Sequence, residues 1–122
     1  MLTEKDYCDY DTCVALKELG YKESCFGHYF NAEFYIDMLP KYYQSDGNVS
    51  APTLYEVQKW LRKEKKIEIV VLGQNNIGGP YYPDVYTEDG LMNNAKGYKT
   101  YEEALLEGIK KSVKLLKDGG ER

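Results

Sequence analysis

The chain has 122 residues, a size that fits one domain, with 43% hydrophobic and 30% charged residues, as in ordinary soluble globular proteins. A formal charge of −4 and a pI near 5.1 argue against generic binding to nucleic acid or anionic membrane. No apolar run approaches the ~20 residues that span a bilayer, and the first residues lack the basic-then-apolar order of a signal peptide, so a cytoplasmic protein is expected.

Leu, Ile, Val and Phe together number only 27, so the 13 tyrosines must supply much of the buried area. Charge is uneven along the chain: residues 1–57 carry 10 acidic and 4 basic groups, residues 58–122 carry 10 and 12. In chain order, the first predicted element is a short helix from about Tyr10 to Leu19. Asp9 or Asp11 serves as its N-cap, since a carboxylate there accepts an orphan amide and meets the positive end of the dipole. Val14, Ala15, Leu16 and Leu19 give it an apolar side, and Gly20 supplies a left-handed stop.

Ser24 to Met38 is dense in aromatics and predicts two strands around a turn at Asn31-Ala32-Glu33, because bulky rings favour a half-buried pleated surface. Pro40 to Pro52 reads as loop, with Ser45-Asp46-Gly47-Asn48 as its turn cluster. Thr53-Leu54-Tyr55-Glu56 is a capping box, and Leu54, Val57, Trp60 and Leu61 form the stripe of a helix ending near Lys65 or Lys66. Ile67 to Leu72 is a β-branched strand whose uninterrupted apolar half suggests a central position. After a loop at Asn75 to Pro80, residues Tyr81 to Tyr86 return as an antiparallel strand, with Pro83 confining it to an edge or a bulge. Glu88 to Gly97 reads as loop. Thr100-Tyr101-Glu102-Glu103 is a second capping box, opening a helix whose buried face is Leu105, Ile109, Val113 and Leu116, ended by Asp118-Gly119-Gly120. The reading is α+β in the order αββαββα, a small antiparallel or mixed sheet of about four strands against two or three helices, in a single domain over 1–122.

Two stretches carry a resemblance: 50–62, SAPTLYEVQKWLR, and 100–109, TYEEALLEGI. Together they resemble a group of small proteins encoded in prophages and other mobile elements of gut bacteria, in which two helices flank a strand pair. The resemblance covers about a third of the chain and implies a mobile-element context; the group has no assigned activity, so no residue role comes with it.

Among residues with chemical potential, Cys8, Cys13, Cys25 and His28 have the types of a Cys₃His zinc site, but their spacing lacks the close pairs of a zinc knuckle. Cys25 and His28 as nucleophile and base would lie on opposite faces of a strand. An odd number of cysteines without a signal sequence reads as reduced, structural thiols. Asp6, Asp9 and Asp11 lack the pattern of a calcium loop and read as helix capping. Gly78-Gly79-Pro80 has neither the Lys-Ser/Thr nor the helix of a phosphate loop. No cofactor or metal is expected.

Two sets of surface residues remain. Lys59, Arg62, Lys63, Lys65 and Lys66 close one helix; Lys110, Lys111, Lys114 and Lys117 close another. Cations are favoured there by the dipole alone, yet the two ends could merge into a patch for phosphates or an acidic partner. Tyr42-Tyr43 and Tyr81-Tyr82 lie in or beside loops, where tyrosine supplies rigid, amphipathic contact area. The expected function is a non-enzymatic interaction module that binds a protein partner or a second copy. The alternatives are a nucleic-acid accessory binder using the basic helix ends and a Cys/His-dependent or zinc-binding protein.

Overall fold

A computed structural model describes residues 2–43, 47–73, 80–92 and 96–119. Backbone contacts gather the chain into two compact units, Met1–Thr53 and Leu54–Arg122. The first unit contains a 3-10 turn (Glu4–Asp6), helix α1 (Tyr10–Glu18) and strands β1 (Cys25–Phe30), β2 (Glu33–Lys41) and β3 (Asn48–Ala51). The second contains α2 (Leu54–Glu64), β4 (Glu68–Gly73), β5 (Tyr81–Thr87), β6 (Gly90–Met92) and α3 (Tyr101–Gly119).

The α+β class holds, but one sheet of about four strands is replaced by two three-stranded antiparallel sheets, β2-β1-β3 and β4-β5-β6. The order is αβββαβββα, not αββαββα, because β3 and β6 fall in stretches that read as loop. Both are short and poor in β-branched residues. Their extended form comes from pairing: Gly27 to Phe30 opposes Ala51 to Asn48, and Val85 to Thr87 opposes Met92 to Gly90. Residues 44–46, 74–79 and 93–95, with parts of the turn and loop assignments, lie outside the described residues, as does Gly120.

In the first unit, Asp9 caps α1 by accepting from the Thr12 amide at 3.1 Å. Gly20, at φ +100°, completes a Schellman stop in which its amide donates to Lys17 O and the Tyr21 amide to Leu16 O. The buried side of α1 is Thr12, Cys13 and Leu16, with Val14, Ala15 and Leu19 half-buried. Tyrosine and cysteine fill this core: Tyr7, Tyr21, Tyr29, Cys8, Cys13 and Cys25 are each at most 6% exposed. Phe34 packs its ring 5.1 Å from Tyr7 and 5.3 Å from Tyr29.

The hairpin turn is Asn31-Ala32, with φ of 52° and 67° between the paired Phe30 and Glu33. Positive φ at both central residues is the two-residue geometry that favours Asn-Gly. Ala32 pays for its Cβ there, so Ala32→Gly is expected to stabilise the protein by about 1 kcal/mol. A rise in the urea midpoint at unchanged slope would show it; a fall would remove the strain argument.

In the second unit, the Thr100 capping box forms in both directions: the Glu103 amide donates to Thr100 Oγ1 at 3.0 Å and the Thr100 amide to Glu103 Oε1 at 3.1 Å. Leu105, Ile109, Val113 and Leu116 are all buried, as their spacing predicts. So are Leu54, Val57 and Leu61 of α2, while Trp60 is half-buried under Lys65 Nζ, 5.4 Å from its ring.

Two strand placements differ from expectation. β4 is an edge, not a central strand, and α2 covers part of that edge by donating Gln58 Nε2 to Ile69 O at 2.9 Å. β5 is central despite Pro83. Its β6 pairing begins only at Val85, and on that side its other bridge is Tyr81 to Tyr98, so Pro83 sits in a gap between the two among the described residues. No helix among the described residues is long and apolar enough to cross a membrane.

Candidate interaction surface

Alternation along β1 is complete. Cys25, Gly27 and Tyr29 point into the core, while Phe26, His28 and Phe30 point out. The tight turn fixes the register of the neighbouring strand, placing Glu33 beside Phe30 and Tyr35 beside His28; on the other flank Asn48 and Ser50 oppose the same two residues. The outer face of this sheet therefore carries a column of three rings, with Tyr35 as a fourth. Phe26, Phe30 and Tyr35 are 47%, 45% and 43% exposed.

A bulge shapes one end of the face. Between the pairs Gly27–Ile36 and Cys25–Lys41, the stretch Asp37 to Pro40 opposes Phe26 alone. The extra residues push β2 outward and leave Met38 94% and Leu39 70% exposed. Asp37 stays close to His28, with Oδ2 2.8 Å from Nδ1. Tyr43 joins them: its amide donates to Ser50 Oγ at 2.8 Å and its hydroxyl to Asp37 Oδ2 at 3.2 Å. Its ring stacks on the imidazole at 4.4 Å, and Tyr35 stacks on it at 5.3 Å. Tyr35 donates its hydroxyl to Glu33 Oε2 at 3.1 Å.

Both tyrosine hydroxyls are perturbed by their surroundings. The Tyr43 hydroxyl is raised above the ordinary phenol value by loss of solvent and by its bond to Asp37; the Tyr35 hydroxyl is raised by its bond to Glu33. The face is thus aromatic with an acidic border, and its polar groups are tied to one another.

The expected interface tyrosines divide between the units. Tyr42 and Tyr43 follow β2 in the first; both are half-buried, and Tyr43 is built into the His28 cluster. Tyr81 and Tyr82 open β5 in the second and are also half-buried, with Tyr81 edge-on to Tyr101 at 6.2 Å. The most exposed rings of the first unit, Phe26, Phe30 and Tyr35, were not singled out by sequence reasoning. The Phe-x-His-x-Phe alternation of 26–30 was the signal that could have found them.

Cys25 and His28 do fall on opposite faces of β1, so they cannot act as nucleophile and base together. The three thiols are buried on the core side, where Cys13 Sγ donates to Cys8 O at 3.4 Å and Cys25 Sγ to Glu23 O at 3.3 Å. Its bond to Cys8 and burial hold the Cys13 thiol well above its ordinary value, which suppresses the thiolate that nucleophiles and metals need. Among the described residues no group of three or more His, Cys, Asp or Glu is placed to hold a metal ion. Asp6 accepts from the Thr3 amide and Asp9 caps α1, as the capping reading expects.

Lys59, Arg62, Lys63, Lys66, Lys110, Lys114 and Lys117 are all exposed. The C-terminal ends of α2 and α3 do come together, lining one open cleft of about 890 Å³ with the β5–β6 hairpin. Of the basic residues only Lys65 and Lys66 line that cleft, in company with Glu64, Glu88, Asp89 and Asp118. Arg62 pairs with Glu68 at 3.3 Å and Lys110 with Glu107 at 3.6 Å. Carboxylates therefore interleave with the cations.

No protein-family model, curated protein or solved structure matches the chain.

Proposed function

We propose that the protein is a non-enzymatic interaction module of mobile-element origin that holds a protein partner on the outer face of its β2-β1-β3 sheet. The observation that carries this reading is the half exposure of Phe26, Phe30 and Tyr35 on one face of a three-stranded sheet. Exposed rings grouped in this way, with a polar border, mark a surface that gains from being covered. Two features make the face a rigid platform. His28 is flanked by two tyrosine rings, and Asp37 accepts from both His28 and Tyr43, so little side-chain freedom is left to lose on binding. The mobile-element origin is supported by the resemblance at 50–62 and 100–109.

The test is capture from a host lysate by immobilised wild-type protein and by Phe26→Ser/Phe30→Ser. Both changes are on exposed side chains, so an unchanged circular dichroism spectrum is expected for the variant. A protein retained by the wild type and lost from the variant supports the reading. Equal retention by both would sink it.

A further inference from the structure

We infer that the occupant of this face is a cationic protein segment, an extended stretch carrying Lys or Arg side chains. The inference rests on the outer sheet face being the binding surface. Its first support is the corner made by Phe30, Glu33 and Tyr35. Phe30 and Glu33 are directly paired across the hairpin, and Tyr35 is the diagonal neighbour of Phe30, within reach of the same incoming group. Tyr35 holds the Glu33 carboxylate at 3.1 Å beside two rings that are each more than two-fifths exposed. A guanidinium or ammonium entering there meets a ring quadrupole and an oriented carboxylate together, the pairing that recognises cations.

Charge complementarity extends beyond that corner. Asp37 sits against His28 in the middle of the column, and the three strands contain no Arg and one Lys, Lys41 at the end of β2. Residues 1–53 as a whole carry 9 Asp and Glu against 4 Lys. A nucleic-acid strand could stack on such rings, but its phosphates would meet Glu33, Asp37 and the surplus negative charge, with Lys41 at the far end of β2 as the sheet's single Lys or Arg among the described residues. A basic segment meets attraction in both respects. The bulge adds an apolar contact, since Met38 and Leu39 stand out from the sheet beside the aromatic column.

The probe is a fluorescein-labelled peptide of alternating Arg and Gly, titrated with the full chain and followed by anisotropy at low and moderate salt. A labelled oligothymidylate is titrated in parallel. The expected result is saturable peptide binding that weakens with salt. Glu33→Lys should weaken it roughly tenfold and Phe30→Ala several-fold, sizes in line with one partly desolvated cation site. Glu18→Lys makes the same charge change on α1, the layer behind the sheet, and should stay within about twofold of the wild type. Glu33→Gln, without the added positive charge, should fall between the wild type and Glu33→Lys, which separates a lost contact from a folding defect.

Three outcomes overturn the inference: no peptide binding at low salt, equal losses in Glu33→Lys and Glu18→Lys, or tighter binding of the oligothymidylate. If the peptide fails while the lysate partner is still lost with Phe26→Ser/Phe30→Ser, the face stands and its cationic occupant falls. If both experiments fail, the face falls as well.

Discussion

Gly27→Val is expected to destabilise the protein by about 3 kcal/mol, and Gly27→Ala by about 2 kcal/mol. Gly27 lies at the middle of the central strand β1 on its buried side. A Cβ added there would stand 2.9 Å from Ala51 O of the paired strand and 2.9 Å from Cδ2 of Tyr7. The first contact is with backbone held in the β1–β3 ladder, which cannot yield without opening the pairing. The second is with a ring that fills the space a side chain would take, the arrangement by which an aromatic covers a strand glycine. Tyr7 is itself held near by its bridge to Thr53 and by the following Cys8 amide, which donates to Pro52 O at 3.0 Å. The cost therefore falls on β3, and through it on Ser50, which receives the Tyr43 amide and so helps place that ring over His28. Urea unfolding followed by far-ultraviolet circular dichroism measures the loss. A Gly27→Val midpoint within error of the wild type would mean that the Tyr7 ring moves aside freely.

That contact also shows where the sequence stops being informative. Elements whose causes are local were legible: a cap at Asp9 or Asp11, of which Asp9 is the one used, the cap at Thr100, the left-handed stop at Gly20, a turn within Asn31-Ala32-Glu33 and the four-residue stripe of α3. Each depends on residues within one or two turns of itself. β3 was not legible because Asn48 to Ala51 has no strand character apart from the partner it finds some twenty residues earlier. The apolar half of β4 pointed to a central strand, yet Leu72 is 49% exposed at an edge, because the covering comes from α2 and not from another strand. Pro83 signalled a break in pairing, and among the described residues that break is a gap on one side of a central strand.

The candidate site was legible only in its parts. Alternation at Phe26, His28 and Phe30 can be read from the residues, and the turn then fixes Glu33 and Tyr35 against them. That Asp37 returns to His28 depends on a bulge in β2, and that Tyr43 closes over both depends on its amide meeting Ser50. Neither follows from spacing. The tyrosine surplus resolves in the same way: Tyr7, Tyr21 and Tyr29 do core work that Leu and Ile would do elsewhere, while Tyr35 and Tyr43 hold carboxylates.

In the second unit the largest effect is expected at Gly108. A glycine midway along a 19-residue helix costs about 1 kcal/mol relative to alanine, so propensity alone predicts a gain from Gly108→Ala. The packing predicts the opposite. A Cβ at Gly108 would lie 2.7 Å from Cγ2 of Ile69 and 3.4 Å from Cβ of Pro83, where α3 crosses β4 and β5. Ile69 is 1% exposed and β-branched, so its Cγ2 is fixed by the strand backbone and cannot swing away. Gly108→Ala should therefore be neutral to destabilising, and Gly108→Val should lose about 3 kcal/mol, with a fall in Tm of roughly 10 °C or more. Ile69→Leu removes the Cγ2 branch while keeping side-chain volume. Combined with Gly108→Ala it should recover part of the loss, since residues in contact are not additive. A stabilised Gly108→Ala would mean that α3 does not press on β4 this closely. Additive losses in the double variant would place the cost of Gly108→Ala somewhere other than Ile69.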